Sequence, residues 1–330
     1  MTKAKTLMAG LILILAGLAV AAWLMFGQSA GISYANADKY TAGSTEIASE
    51  VTELDVEWTE GSVNIEYNDG DRIIISETSS RELSEDDKLR WWLDGSALRI
   101  RYAKSGIRIS FVSLNKALTV SLPKGTALQA AGIHGTSAEL NIRGLAAEQI
   151  TLETTSGDIK GTAEAKQLKI GSTSGDIRFG QEKDMETLTL DSTSGNAGLT
   201  LGNVRELSGR TTSGGISVTM GGETETVKIH STSGGVSLEA AEVRKADLSS
   251  TSGGVTFRAA AVDELKIGCT SGNVTAYLPE NPGFTCEIST TSGDVNSELA
   301  LKANGKVYTC GDGSGKYRIE TTSGDVRLAK

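Results

Sequence analysis

The chain has 330 residues, of which 39 are Gly and only 3 are Pro, and this ratio excludes collagen and Pro-rich linkers. Hydrophobic residues make up 38% but aromatic residues only 5%, so the core must consist mainly of small and β-branched side chains. The net charge of -9 argues against a nucleic-acid partner, and two histidines are too few for a histidine-rich metal site.

The N-terminal segment is a predicted membrane anchor. Residues 7–26 form an apolar run of 20 residues without a charge, which is long enough to cross a bilayer as a helix. Lys3 and Lys5 precede this run, so the positive-inside rule places the N-terminus in the cytoplasm and the remainder outside. Residues 1–27 then comprise a cytoplasmic tip and a transmembrane helix. A cleaved signal peptide is the alternative, because residues 35–37 match a small-x-small cleavage pattern.

Two regions separate this anchor from the repeats. Residues 28–50 are polar and rich in Gly, Ser, Thr and Ala, which predicts a flexible stalk. Residues 51–122 are predicted to form an N-terminal β cap, which closes one end of the repeat array and blocks edge pairing. Within this cap, residues 54–65 have the spacing of an outlying coil.

Residues 123–330 are a repeat array built on the motif Thr-Ser-Gly. Successive motif glycines are 18 to 21 residues apart, apart from a final spacing of 31, and a degenerate copy is centred on Ala138. Each motif is predicted to form a turn between two strands. The predicted structural turn glycines are Gly157, Gly175, Gly195, Gly214, Gly234, Gly253, Gly272, Gly293 and Gly324.

Apolar residues alternate with polar ones on both sides of each motif, which is the period of a half-buried strand. A meander of hairpins would satisfy this pattern, since Gly-Asp, Gly-Asn and Gly-Gly are hairpin-turn sequences. A parallel β-solenoid, or β-helix, of about ten coils of 19–20 residues is favoured, because the same residue type recurs at the same position of each repeat. The predicted fold class is therefore all-β, with the N-terminal transmembrane helix attached.

A small side chain stands three residues before each motif glycine. It shares the parity of the inward residues, which predicts an internal ladder whose hydroxyls bond to one another or to the turn backbone. A row of nucleophiles is the less favoured interpretation. The residues at this position are Thr154, Ser172, Ser192, Thr211, Ser231, Ser250, Cys269, Thr290 and Thr321.

Asp158 and Asp176 follow the glycine on successive coils, beside Lys160 and Arg178. The favoured interpretation is a turn role, because Asp and Asn tolerate left-handed backbone. A shared calcium ion and carboxylate catalysis are the alternatives. No metal site, catalytic residue or cofactor is predicted.

His134 and His230 are predicted to face outward, on coils too far apart to cooperate, as solvated surface side chains. The exposed threonine of each motif suggests an ice-binding type of face. The next outward position of the same strand is not threonine, however, and this argues against such a face.

Three cysteines, Cys269, Cys286 and Cys310, lie late in the chain, and their spacing matches no zinc pattern. Core packing is favoured, and a disulfide between Cys286 and Cys310 is the alternative. Residues 277–283 and 311–315 are predicted loop insertions around them.

The sequence resembles a known family in residues 118–125, in the repeated Thr-Ser-Gly-Asp/Asn/Gly turns and in residues 319–326. That family comprises proposed bacterial adhesins of the β-strand-repeat, domain-of-unknown-function type, including LiaG-like envelope proteins. The resemblance covers roughly residues 50–330. It implies a β-helical, surface-exposed or membrane-anchored protein, often associated with cell-envelope stress, without established catalytic residues.

The predicted function is a non-catalytic, adhesin-like or envelope-stress-associated interaction module. It is expected in the cell membrane as a single-pass protein, held by residues 7–26, with an envelope glycan or a membrane protein as partner. A carbohydrate-active β-helix enzyme, either a polysaccharide lyase or a hydrolase, is one alternative. A spacer or assembly partner of another membrane protein is the other.

Overall fold

The computed structural model describes residues 31–107, 114–279 and 283–330. These residues form 25 strands and one short 3-10 helix, Ala37–Lys39. The predicted transmembrane segment at residues 7–26 lies outside the described residues. Among the described residues, no helix has the length and apolarity needed to cross a bilayer.

The strands vary from two to 27 residues in length. They are β1 (Gly31–Ile32), β2 (Thr41–Ala42), β3 (Thr45–Ile47), β4 (Glu53–Asn68), β5 (Ile73–Thr78), β6 (Arg90–Asp94), β7 (Ala97–Arg101), β8 (Gly106–Ile107), β9 (Ala117–Pro123), β10 (Leu128–Thr154), β11 (Ile159–Ser172), β12 (Ile177–Gln181), β13 (Met185–Ser192), β14 (Ala197–Leu201), β15 (Val204–Thr211), β16 (Ile216–Ser231), β17 (Val236–Ser250), β18 (Val255–Cys269), β19 (Val274–Tyr277), β20 (Gly283–Ser292), β21 (Val295–Ser297), β22 (Lys302–Asn304), β23 (Val307–Gly311), β24 (Gly315–Ser323) and β25 (Val326–Ala329).

Equivalent residues of successive repeats pair in parallel, which confirms the β-solenoid and excludes the hairpin meander. Leu152 pairs with Ile170, and Ile170 pairs with Leu190 on the following coil. Parallel pairing in this register stacks each inward side chain on the equivalent side chain of the neighbouring coil. The core is therefore continuous along the rod, as a repeat architecture requires.

Each coil has two arms around its motif. Arm A ends three residues before the motif glycine, and arm B begins two residues after it; in one coil they are residues 168–172 and 177–181. The inward side chains of both arms, such as Ile170 and Ile177, are fully buried. Outward side chains of arm A form face A, and those of arm B form face B.

The N-terminal end of the rod contains a coil that is out of sequence order. β7 and β9 pair in parallel with the two halves of β4, and β4 pairs in parallel with β10. β4 therefore lies between a coil formed by residues 97–123 and the first repeats, although it precedes both in the chain. β5 and β6 cover the outer coil by antiparallel pairing with β9 and β7.

The predicted flexible stalk at residues 28–50 is wrong from Gly31 onward. β2 and β3 pair antiparallel with cap strands β6 and β5. Tyr40 and Ile47 are buried, and the ring of Tyr40 packs edge-on against Trp92 with centroids 5.6 Å apart. The segment is polar overall, so its composition did not indicate that a few buried apolar side chains, such as Tyr40 and Ile47, pack it against the cap.

The cap also encloses a buried ion pair. Lys116 is fully buried, and its Nζ lies 2.8 Å from Oε2 of Glu77, which is almost as buried. The ammonium also donates to the carbonyl oxygens of Asp87 and Tyr102 at 2.6 Å. Removing either partner would leave a buried charge without its counter-ion, which is strongly destabilising.

The C-terminal end is also out of sequence order. β24 pairs in parallel with both β18 and β20, and β25 pairs with both β19 and β21. The last coil in the sequence is therefore inserted between the two that precede it. The expectation that each motif stacks on the previous one fails here, because residues 298–314 include a hairpin, β22 and β23, that carries the chain back.

The cysteines are three buried thiols and are not joined by a disulfide. Cys286 lies on β20 opposite Tyr308 of β23, while Cys310 lies opposite Phe284. Burial raises the pKa of Cys286 to about 12. Core packing is therefore the role of these side chains, and the alternative of a bridge between Cys286 and Cys310 is wrong.

Candidate functional site

The nine motif glycines stack in a single column along the rod. A Cβ atom placed on Gly175 would lie 1.8 Å from the carbonyl oxygen of Gly157, and one on Gly195 would lie 1.9 Å from that of Gly175. All nine belong to the described residues, and none of them has a positive φ. Glycine is therefore required by close contact between neighbouring backbones and not by left-handed geometry.

The hydroxyl position three residues before each glycine lies inside the corner. The backbone N–H of Gly175 donates to Oγ of Ser172 at 2.8 Å, and that of Gly253 donates to Oγ of Ser250 at 2.9 Å. Ser250 in turn donates to the carbonyl oxygen of Gly234 on the preceding coil at 3.0 Å. Cys269 occupies the same position, with its thiol directed at the equivalent carbonyl. These contacts give the row a structural role.

The position directly after each motif glycine forms a second column, here called the Asx column. Oδ1 of Asp158 accepts from the N–H of Asp176, and Oδ1 of Asp176 accepts from the N–H of Asn196, both at 2.9 Å. Asp and Asn are thus placed to bridge coils. Neither aspartate has a positive φ, so the left-handed turn expected for them is wrong. In spatial order the column is Asp158, Asp176, Asn196, Gly215, Gly235, Gly254, Asn273, Asp325 and Asp294.

Both oxygens of these two carboxylates are engaged within the protein. Oδ2 of Asp158 is 3.1 Å from Nζ of Lys160, and Oδ2 of Asp176 is 3.4 Å from Nη2 of Arg178. Burial alone would raise the pKa of Asp158, but hydrogen bonds from Lys160 and from the Asp176 backbone hold it below its usual value. These contacts favour a structural role, in which the carboxylates bridge neighbouring coils, over a shared calcium ion. Among the described residues, no group of three or more metal-binding side chains was found.

The middle of the Asx column has no side-chain acceptors. Asn196 still accepts from the N–H of Gly215 at 3.0 Å, but the next three residues of the column are glycines. Within the described part of the chain, the N–H groups of Gly235, Gly254 and Asn273 therefore have no acceptor. Asn273 then resumes the ladder by accepting from the N–H of Asp325 at 3.0 Å.

A groove of about 1300 Å³ runs along face B beside these open amides. It spans the B arms of consecutive coils from Gly144 to Thr256. The charged side chains that line it, Glu164, Arg178, Glu182 and Lys183, belong to coils near the N-terminal end of the array. The remaining outward positions of its floor hold small residues, namely Thr162, Gly180, Gly198, Thr200, Ser217, Thr219, Ser237 and Thr256.

Sequence reasoning missed this groove, although a signal was present. Three residues after the motif glycine, successive repeats contain Lys160, Arg178, Gly198, Ser217 and Ser237. The change from charged to small residues marks the place where face B becomes open. The shape of the groove depends on how the coils pack in three dimensions, which the repeat pattern alone does not specify.

Face A differs, because charged side chains of neighbouring coils satisfy one another there. Glu153 lies between His134 and Lys169, with oxygen to nitrogen distances of 3.3 Å and 2.6 Å. Asp247 and Lys266 form a similar pair at 3.2 Å. Pairs at this level of exposure contribute little to stability, but they occupy the surface.

His230 and Ser249 form a contact on face A that the sequence did not suggest. Nδ1 of His230 is 2.9 Å from Oγ of Ser249 on the next coil, in a shallow groove of about 470 Å³. The neighbour of His230 on the preceding coil is Arg210. Glu320 lies two coils beyond Ser249, so the acid is on the wrong side of the serine to orient the imidazole.

Known proteins similar to this chain were found among solved structures and family models. A protein of Clostridium sporogenes ATCC 15579, described as a proposed cell adhesion protein, has a solved structure that matches 88% of this chain and 99% of its own, with 15% identity and a TM-score of 0.19. No curated protein matches the chain. The family model of Toastrack DUF4097 matches residues 51–260 and 181–329. The chain therefore belongs to the Toastrack DUF4097 family.

Proposed function

We propose that this protein is a non-catalytic, adhesin-like interaction module that binds an extended partner along face B. The groove beside the open part of the Asx column is the observation that carries this proposal. It is open, extends over several coils and is lined by small residues beside the open amides, which suits a polymer better than a compact metabolite. Several weak contacts repeated on successive coils add up to useful avidity.

The proposal places the rod outside the cell as a single-pass membrane protein. The uncharged apolar run at residues 7–26, preceded by Lys3 and Lys5, supports an anchor with a cytoplasmic N-terminus. An anchored rod with a lateral binding groove presents its face to the surrounding envelope. An envelope glycan or another membrane protein would be within reach.

The carbohydrate-active enzyme remains the second candidate on one observation. Glu164 and Glu182 line the groove together with Arg178, and pairs of carboxylates are the usual catalytic groups of glycoside hydrolases. A test of binding must therefore also record products.

The experiment uses the full chain in mild detergent, incubated with isolated bacterial envelope and a glycan panel, with and without calcium. Retention on the envelope without soluble products is the expected result. Ser217→Trp should abolish retention by filling the groove, whereas Ser208→Trp on face A should not. Soluble oligosaccharides would overturn the non-catalytic assignment. Equal retention of both variants would show that face B is not the binding surface.

A further inference from the structure

Three consecutive main-chain N–H groups border the groove without an acceptor among the described residues: those of Gly235, Gly254 and Asn273. They occupy equivalent positions on successive coils, so they point in one direction and repeat at the strand spacing of about 4.8 Å. Two of the three residues, Gly235 and Gly254, line the groove itself.

The filled part of the Asx column shows which acceptor groups suit these N–H donors. Each filled N–H receives a carboxylate or carboxamide oxygen at 2.9–3.0 Å. The residues that border the open part on both sides, Asn196 and Asn273, are carboxamides and carry no charge. A ligand that completed the column would supply one oxygen acceptor for each coil.

The surroundings of the open amides favour a neutral ligand. Ser217, Ser237 and Thr256, which stand beside them in the groove, offer hydroxyl groups and no charge. The chain as a whole has a net charge of -9, which repels polyanions over longer distances. Neutral oxygen acceptors are thus preferred over sulfate or phosphate groups.

The repeat distance argues against an extended peptide along the rod. A peptide strand presents carbonyl groups on one side only every second residue, or about 6.6 Å. The open amides recur about every 4.8 Å, so the carbonyl groups of such a peptide are already out of register with them at the second coil. A linear glycan carries several hydroxyl or acetamido oxygens around every ring, so it has more acceptors per unit length than a peptide strand, and different oxygens of successive rings are available to successive coils.

We infer that the groove of face B binds a linear neutral glycan whose hydroxyl or acetamido oxygens accept hydrogen bonds from Gly235, Gly254 and Asn273. This inference rests on the proposed function and names the class of its ligand. Binding completes, with ligand oxygens, the ladder that Asp158, Asp176 and Asn196 complete within the protein.

The test compares ligands and a variant in which the protein fills its own amides. Gly215→Asn and Gly235→Asn together place carboxamide oxygens toward the N–H groups of Gly235 and Gly254. The positions have room, since a Cβ atom on Gly215 would approach no closer than 3.4 Å and one on Gly235 no closer than 3.5 Å. Gly268→Asn adds the same side chain on face A, where the nearest atom is 3.7 Å away, and is the matched control.

Calorimetric titrations of the full chain in detergent use chitohexaose and cellohexaose as neutral glycans, heparin as a polyanion and a Gly/Ser-rich peptide. We expect a neutral hexasaccharide to bind, with at least tenfold weaker affinity for the double variant and unchanged affinity for Gly268→Asn. Exchange of the three amide hydrogens should slow at least tenfold in the complex. Gly235→Asn alone serves if the double variant does not fold.

Binding of heparin or the peptide alone would overturn the ligand class, as would a neutral glycan that binds the double variant equally well. If no probe binds while the chain is still retained on envelope, the inference fails and the proposed function stands. If the chain neither binds a probe nor is retained on envelope, the inference and the proposed function both fail.

Discussion

The filled and the open parts of the Asx column share one backbone and differ only in side chains. At Asp176 the N–H is satisfied by Asp158, whereas at Gly254 the equivalent N–H has the bare backbone of Gly235 before it. The neighbouring column changes in the same region, from Lys160 to Ser237. Every Thr-Ser-Gly repeat keeps the motif glycine, where a Cβ atom would collide with the neighbouring backbone, whereas three coils have no bridging acceptor. Close backbone contact therefore constrains the first position and leaves the second free to vary.

The largest expected effect comes from breaking the feature that both parts share. Gly175→Ala places a Cβ atom 1.8 Å from the Gly157 carbonyl oxygen, which cannot rotate away because it is backbone. We expect a loss of about 3 kcal/mol or more, at the upper end of overpacking effects, measured as a lower urea midpoint. Gly198→Ala is the control, because its nearest contact is 3.9 Å. Similar losses for both variants would contradict the close-contact explanation.

A smaller loss of stability should follow when a filled position of the Asx column loses its side-chain acceptor. Asp176→Ala removes the acceptor of the Asn196 N–H and should cost about 1 kcal/mol, the usual value of one hydrogen bond. Asp191→Ala, at an exposed position of face A, should change the free energy of unfolding by less than about 0.5 kcal/mol. If both variants are equally stable in urea titrations, the bridge contributes nothing.

The reverse change should stabilise the protein slightly. Gly235→Asn gives the Gly254 N–H an acceptor and restricts the unfolded chain, for a gain of about 0.5–1 kcal/mol. Gly268→Asn shares only the effect on the unfolded chain. Thermal melting of the two variants therefore isolates the hydrogen bond. If the melting temperature of Gly235→Asn is no higher than that of Gly268→Asn, the added hydrogen bond does not stabilise the protein.

The smallest effect is the acid dependence of the filled part. Because the folded pKa of Asp158 is lowered, its ionised form stabilises the protein above its unfolded pKa of about 3.9, and this contribution is lost as the pH falls through the folded pKa. Asp158→Asn keeps the acceptor for Asp176 but removes the charge. Between about pH 5 and about pH 3, its melting temperature should fall less than that of the unmodified protein. An identical fall in the melting temperature of the two proteins would exclude Asp158 as a contributor to the acid dependence of stability.

The repeat was sufficient to predict the solenoid, because residues such as Leu152, Ile170 and Leu190 recur at positions that only stacked coils bury together. The order of coils at the two ends was not predictable, since residues 326–329 have the same alternating pattern as any other arm B. At the motif glycines the structure shows close contact with neighbouring backbone and no positive φ, which the repeat pattern alone could not distinguish. The open amides became visible only after the register aligned Asn196, Gly215 and Gly235.

Amide hydrogen exchange at single-residue resolution, on the protein without ligand, tests the division of the Asx column most directly. The N–H groups of Asp176, Asn196 and Gly215 are bonded to side chains, and those of Gly235, Gly254 and Asn273 are open. Because exchange requires opening of the hydrogen bond, the first three should exchange markedly more slowly than the last three. Equal protection of the two sets would contradict the account.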